Sequence, residues 1–242
     1  LTVSGVRAIL TLHMRILLVI TLLTILILPS GHAPASTPID ASTANLQMMH
    51  TQAAQGDADA QHKLGIMHAD GIGVPQDYTK ARQWYEKAAT QGNATAQVAL
   101  GLLYSQGQGM PKDYTKALHW FEKAAAQNNA RAQFALGLYF ATGTGVPQDY
   151  GKARQWFEQA ASQGNPQAQF YLGGLYYDGH GVPKDIVRAY MWFNLATTYA
   201  MGDEKEVLVE NRDAIAKQLS PTQVGEAQQL AQQCQAQQFK GC

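Results

Sequence analysis

The stretch Gly71-Ile-Gly-Val-Pro-Gln-Asp-Tyr-Thr-Lys-Ala-Arg-Gln-Trp-Tyr-Glu-Lys-Ala-Ala89 returns at Gly107 to Ala125, at Gly143 to Ala161 and, more loosely, at Gly179 to Thr197, each time 36 residues on. A period between about 20 and 50 residues marks stacked supersecondary units rather than one globular core. Stacked units build long surfaces that hold other molecules, so the period also shifts the expected role from catalysis toward binding.

One copy, Asp57 to Gly92, sets the local fold. Between Ala58 and Ala69, the residues Ala60, Leu64, Met67 and His68 share one face at helical spacing. Leucine recurs at Leu64, Leu100, Leu136 and Leu172, as a buried contact would. Glycine recurs at Gly65, Gly101, Gly137 and Gly173. A glycine inside a helix costs about 1 kcal/mol against alanine, so its recurrence predicts a neighbouring helix backbone too close for a methyl group. Gly71 is placed to stop the first helix in a left-handed conformation, Gly73 and Pro75 turn the chain, and Asp77 caps a second helix. That helix points Tyr78, Ala81, Trp84, Tyr85 and Ala88 inward, turns Arg82, Glu86 and Lys87 to solvent, and ends at Gly92. The expectation is an all-α fold, an α-solenoid of helix-turn-helix repeats at 57–92, 93–128, 129–164 and 165–200.

The array has ends. Asn45 to Gln55 aligns with a second helix lacking its first, with Met48 and Met49 where Trp84 and Tyr85 stand one period later. Residues 45–56 are therefore read as an N-terminal capping helix. After Thr197 the register slips, and Glu204 to Gln218 continues as helix. Ser220-Pro-Thr-Gln223 is a capping box with proline at the first helical position, opening a last helix to about Gln233. Residues 201–242 are thus a C-terminal helical cap and tail, and such caps shield an open apolar face. Upstream, Met14 and Arg15 precede an apolar run from Ile16 to Leu28, a break at Pro29-Ser-Gly31, and the small residues Ala33-Pro-Ala35. That is the pattern of an export signal cleaved after Ala35. The run of 13 residues falls short of the roughly 20 that cross a bilayer. Residues 1–35 are read as a signal peptide, 1–13 of them upstream of the true start, and 36–44 as a flexible lead-in. The mature chain is expected in the periplasm or secreted, with no membrane association after cleavage.

The repeat resembles the Sel1-like repeat family, which is related to the tetratricopeptide repeat. The pattern Ala-x-x-x-Leu-Gly-x-x-Tyr, then Gly-x-Gly-Val, then Asp-x-x-x-Ala-x-x-Trp-x-x-x-Ala-Ala is met by Ala96, Leu100, Gly101, Tyr104, Gly107, Gly109, Asp113, Ala117, Trp120, Ala124 and Ala125. The fourth copy departs at Gly174, Arg188 and Thr197, and Ala189-Tyr-Met-Trp-Phe-Asn-Leu-Ala196 resembles the variant that closes such arrays. The resemblance covers roughly residues 45–235. It implies scaffold or adaptor roles through protein contact, in bacteria often exported and linked to envelope or host interaction. Relatives with suggested penicillin-handling activity carry a disulfide in each repeat, whereas no repeat here contains cysteine.

Local chemistry points away from catalysis. The whole chain has 18 Lys+Arg against 18 Asp+Glu, so no basic footprint invites nucleic acid or anionic lipid. The Gly-x-Gly loops have neither the preceding strand nor the third glycine of a dinucleotide fingerprint. Trp84, Trp120, Trp156 and Trp192, with Tyr85, Phe121, Phe157 and Phe193 beside them, read as inter-repeat core rather than a sugar- or peptide-stacking stripe. Burying a ring of roughly 150–250 Å² gives about 4–6 kcal/mol as an upper bound. His62 and His68 are six apart on one helix, His119 and His180 stand alone, and no nucleophile signature occurs. No cofactor, metal site or catalytic residue is assigned. Cys234 and Cys242 pair only if the last helix ends soon after Cys234 and the tail folds back, with Gly241 easing the turn; a free thiol or an intermolecular bridge are the alternatives.

The expected function is an exported, non-catalytic scaffold binding a protein or peptide in the groove of the first helices. The alternatives are an envelope factor that binds peptidoglycan or its enzymes and, further off, a weak β-lactam hydrolase. Two outward columns vary between copies: Asp59, Thr95, Arg131 and Gln167 in one, and Lys63, Ala99, Ala135 and Tyr171 in the other. From these, Asp59, Lys63, Thr95, Arg131, Gln167 and Tyr171 are taken as candidate partner contacts. The recurring Gln61, Gln97, Gln133 and Gln169 either present amides to a partner backbone or bond between helices.

Overall fold

The computed structural model describes residues 43–239 and 242. The export signal at 1–35, most of the 36–44 lead-in and Gly241 lie outside them. Among the described residues there are eleven α-helices and no strand. They are α1 (Thr43–Ala54), α2 (Ala58–Asp70), α3 (Tyr78–Thr90), α4 (Ala94–Gln106), α5 (Tyr114–Ala126), α6 (Ala130–Thr142), α7 (Tyr150–Ala161), α8 (Pro166–Asp178), α9 (Ile186–Tyr199), α10 (Gly202–Ala216) and α11 (Pro221–Ala236). The pairs α2/α3, α4/α5, α6/α7 and α8/α9 are the four units, and consecutive units pack in chain order.

Each helix of the four units starts where a short acceptor side chain catches an otherwise unbonded first-turn amide. Asp57, Asn93, Asn129 and Asn165 accept from Ala60, Ala96, Ala132 and Ala168 to open the first helices. Asp77, Asp113, Asp149 and Asp185 do the same for the second helices. The first helices stop at Gly71, Gly107, Gly143 and Gly179, each at φ near +70°. Gly109 explains how units stack. A Cβ there would fall 2.9 Å from the carbonyl carbon of Tyr78, so this loop rests on the start of the preceding unit's second helix. Gly145 and Gly181 meet Tyr114 and Tyr150 in the same way.

The core corrects two expectations. The helix-interior glycines do face a close neighbour, but it is an aromatic ring of the same unit rather than a passing backbone. A Cβ on Gly101 would stand 2.6 Å from Cε1 of Phe121, and Gly65 and Gly137 relate likewise to Tyr85 and Phe157; at Gly173 the Phe193 ring at 3.0 Å is joined by the backbone carbonyl of Ala189 at 3.1 Å. Phe121 and Phe157 are fully buried, and Tyr85 and Phe193 nearly so. The tryptophans therefore do not form the centre of the core, except Trp192, which is buried. Trp84, Trp120 and Trp156 are half-buried. Trp120 packs on the rim of the cluster around Tyr85 and Leu100, and Trp156 on the rim of the one around Phe121 and Leu136. The next residue along the helix points about 100° away, and there the ring slots over the missing Cβ of glycine.

Gly101→Ala is therefore expected to destabilise the protein. Alanine gains about 1 kcal/mol of helix propensity, but a methyl group pressed into a buried ring costs typically 1–3 kcal/mol. The ring of Phe121 has no solvent side to retreat to. A raised melting temperature for that variant would show that the ring yields.

The glutamine column bonds between helices. Gln61, Gln97 and Gln169 donate their amides to the carbonyls of Ala53, Ala89 and Ala161 at the end of the preceding helix, at 3.0, 3.0 and 3.3 Å. Gln133 instead donates to Asn128 Oδ1. Asn128 occupies the left-handed position that Gly92 and Gly164 fill elsewhere, which puts an acceptor within reach. Gln91, Gln127 and Gln163 in turn donate to the side-chain oxygens of Gln61, Gln97 and Gln133 at 2.7, 2.8 and 2.6 Å. The buried amides of Gln61, Gln97 and Gln133 are thus spent within the array, while the buried Oε1 of Gln169 accepts no hydrogen bond.

Further helices flank the four units. In α1, Met49 and Ala53 are buried like their counterparts Tyr85 and Ala89, whereas exposed Gln52 replaces buried Ala88. At the other end, α10 buries Leu208 and Ile215, and α11 opens on the Ser220/Gln223 capping box and buries Ala227, Ala231 and Cys234. The chain turns back after Ala236, and Cys234 is bonded to Cys242.

Candidate functional site

The face of the array that varies is built by one stripe of each first helix, at positions i, i+4, i+7 and i+11, which lie one above another on an α-helix. The stripes are Asp59-Lys63-Ile66-Asp70 on α2, Thr95-Ala99-Leu102-Gln106 on α4, Arg131-Ala135-Leu138-Thr142 on α6, and Gln167-Tyr171-Gly174-Asp178 on α8.

The structure keeps four of the six candidate contacts on the surface. Asp59, Lys63, Thr95 and Arg131 are exposed. Asp59 also accepts a hydrogen bond from the Asn93 side chain at 2.8 Å, tying the first two units together at this edge. Gln167 is half-buried and donates to Glu204 on α10, so the terminal cap already engages it. Tyr171 corrects the expectation for its column, because it is buried rather than solvent-facing. Its ring stacks on Phe157 at 5.3 Å and packs on Phe134 at 5.5 Å, wedging the third unit against the fourth. Its column sinks along the chain: Lys63 exposed, Ala99 half-buried, Ala135 and Tyr171 buried.

Sequence reasoning missed the apolar members of this face. Ile66, Leu102 and Leu138 are half-buried at equivalent positions of three consecutive units. The available signal was three aliphatic residues seven positions beyond a polar, outward column. The first three units thus present a row of aliphatic side chains rimmed by Asp59, Lys63, Thr95 and Arg131.

Titration within the array is governed by burial. Burial lowers the pKa of His62 to about 4, with Asp59 opposing and Lys63 assisting, so this imidazole is neutral at pH 7. Its ring lies 5.8 Å from that of Tyr85. Burial likewise pushes the hydroxyls of Tyr85 and Tyr171 up, and raises the carboxyls of Asp70 and Glu204. Among the described residues, no three His, Cys, Asp or Glu side chains gather to hold a metal ion. No described helix is long and apolar enough to cross a membrane. The geometry offers a contact surface with an apolar row and a polar rim.

A family model described as Sel1 repeat matches residues 58–93, 94–129, 130–165 and 166–198. Among solved structures, the chain is similar to a protective antigen present in uropathogenic Escherichia coli strains and displaying an SLR fold. The two are 37% identical over 88% of this chain, with a TM-score of 0.73. It is also similar to a Sel1 repeat protein from Oxalobacter formigenes, at 34% identity over 64% of this chain and a TM-score of 0.62. The matches cover 45% and 62% of those chains. No curated protein matches the chain.

Proposed function

This chain belongs to the Sel1 repeat family, and from that premise we propose that it is an exported, non-catalytic scaffold that binds a protein or peptide across the first-helix face. One observation carries the reading. Positions that hold the units together stay fixed from copy to copy, as with Leu64, Leu100, Leu136 and Leu172, whereas the outward rim changes from Asp59 to Thr95 to Arg131. Ile66, Leu102 and Leu138 stay partly accessible between them. An apolar centre with a polar rim is the usual anatomy of a protein contact. Export rests on the Met14 to Ala35 pattern, and the likeness to a protein described as a protective antigen supports it.

Site-specific photo-cross-linking in the native cell tests this directly. A cross-linker at Leu102 or Leu138 is expected to capture a discrete protein, and one at exposed Gln155 or His119 on the second helices is not. Once the partner is in hand, Leu102→Asp is expected to weaken binding about tenfold or more, equivalent to about 1.4 kcal/mol, measured at a temperature where circular dichroism shows the variant folded, because Leu102 also packs on the cluster around Phe121. Equal capture from both faces would overturn the assignment of the surface.

A further inference from the structure

We propose that the Cys234–Cys242 bond is an exchangeable clasp, opened at Cys242 by a small thiol that carries a carboxylate. Three features meet at this bond. The turn between the two cysteines holds Gln238 and Phe239 at φ 53° and 60°. Non-glycine residues seldom occupy that left-handed region, and adjacent pairs such as this persist where the surroundings force them. The only other such residue among those described is Asn128, a type that tolerates it. The turn is held by Gln238 N–H to Gln235 O at 3.0 Å, by Phe239 N–H to Cys234 O at 2.8 Å, and by the disulfide that closes it.

The sulfurs are also within reach of solvent. Cys234 and Cys242 line an open depression of about 210 Å³, together with Arg188, Met191, Leu230 and Gln237. Cys234 itself is 3% exposed, while Cys242 is only half-buried. An incoming thiolate therefore meets Cys242 Sγ with Cys234 Sγ behind it as leaving group. Arg188 is the third feature. Its side chain is half exposed, 3.5 Å from Asp185 at the far edge of its helix cap, so its guanidinium still has donors free for a carboxylate.

The step balances without an outside oxidant. The thiolate sulfur forms a bond to Cys242 Sγ, the Cys234–Cys242 bond breaks, and its electron pair leaves on Cys234 as thiolate, which takes a proton from water. A second equivalent of the same thiol attacks the mixed disulfide, freeing Cys242 and leaving as the oxidised small-molecule dimer. Release lets the turn at Gln238 and Phe239 relax from its left-handed conformation.

The test uses the folded full chain, with graded ratios of reduced to oxidised glutathione as the probe, followed by acid quench, alkylation and peptide mass mapping. The expected result is a glutathione adduct on Cys242 and a free Cys234 thiol at ratios that leave the helical circular dichroism intact. Arg188→Gln is expected to slow adduct formation about tenfold while leaving the rate with 2-mercaptoethanol unchanged. A bond that stays closed until denaturant is added, or an adduct on Cys234, overturns the clasp; equal slowing of both thiols overturns the role of Arg188. Cys242→Ser is expected to make the tail protease-sensitive with residues 58–198 still resistant. Unfolding of the repeats in that variant would make the bond a structural staple instead.

Discussion

Phe121→Ala is expected to lower the free energy of unfolding by about 3–5 kcal/mol, the range for deleting a fully buried aromatic ring, whereas Trp120→Ala lowers it by less. The ring of Phe121 has no exposed surface, fills the space above Gly101, and meets Tyr139 of the next unit edge-on at 5.6 Å. Its neighbours, Ala117, Ala132 and Leu136, are themselves fully buried, so little can collapse into the gap. In a stacked array each unit leans only on its neighbours. A void in the second of four units therefore opens its seam with the third, which Phe121 meets through Ala132, Leu136 and Tyr139. Urea titrations of the two variants decide it. A Trp120→Ala midpoint at or below that of Phe121→Ala would mean that the rim, not the centre, holds the stack.

The same pair of residues shows what was legible in the sequence. The period, the leucine column, the left-handed glycine stops and the aspartate caps are local signals, each fixed by the chemistry of one side chain and its own backbone, and they place the helices within a residue or two. Choosing between adjacent aromatics is different. Trp120 and Phe121 both fall within the broad apolar arc of their helix, and only the shape of the opposing surface, a glycine in the first helix of the same unit, selects the ring that can sit flush. The glycine signalled a close approach without saying whose. Tyr171 shows the same limit from the other side. Its column reads as outward from the lysine and alanines that precede it, yet Phe134 and Phe157 supply an apolar wall in the third unit that the first unit lacks. Ile66, Leu102 and Leu138 were readable by spacing, but a single aliphatic residue on an outward column carries no sign of whether a neighbour covers it.

Between about pH 6.5 and pH 4 the protein is expected to lose stability, because folding forbids His62 the proton that the unfolded chain accepts. Burial sets the folded pKa at about 4 against 6.5 for the free side chain. The unfolded state therefore binds more protons throughout that window, and stability rises with pH across it. The contribution is complete above pH 6.5 and gone below pH 4. At about 1.4 kcal/mol per unit of pKa, its size is at most about 3.5 kcal/mol. His68, lowered chiefly by burial, acts in the same sense. Asp70 and Glu204 oppose it, since burial raises their carboxyls and protonation of the folded state favours folding at the acid end of the window. Asp77 and Asp113, lowered by the backbone amides they cap, add their loss only below the usual carboxylate range. His62→Phe isolates the effect, because phenylalanine already fills the equivalent positions at Phe134 and Phe170. That variant should fold and should flatten the slope between pH 6.5 and pH 4, and a histidine NMR titration of the parent should find one imidazole still neutral near pH 5. An unchanged slope in His62→Phe would transfer the effect to His68. Because Asp59 and Lys63 flank His62 on the same helix, acidification would loosen the first unit at the edge of the contact face before it reaches the buried seams of the other three.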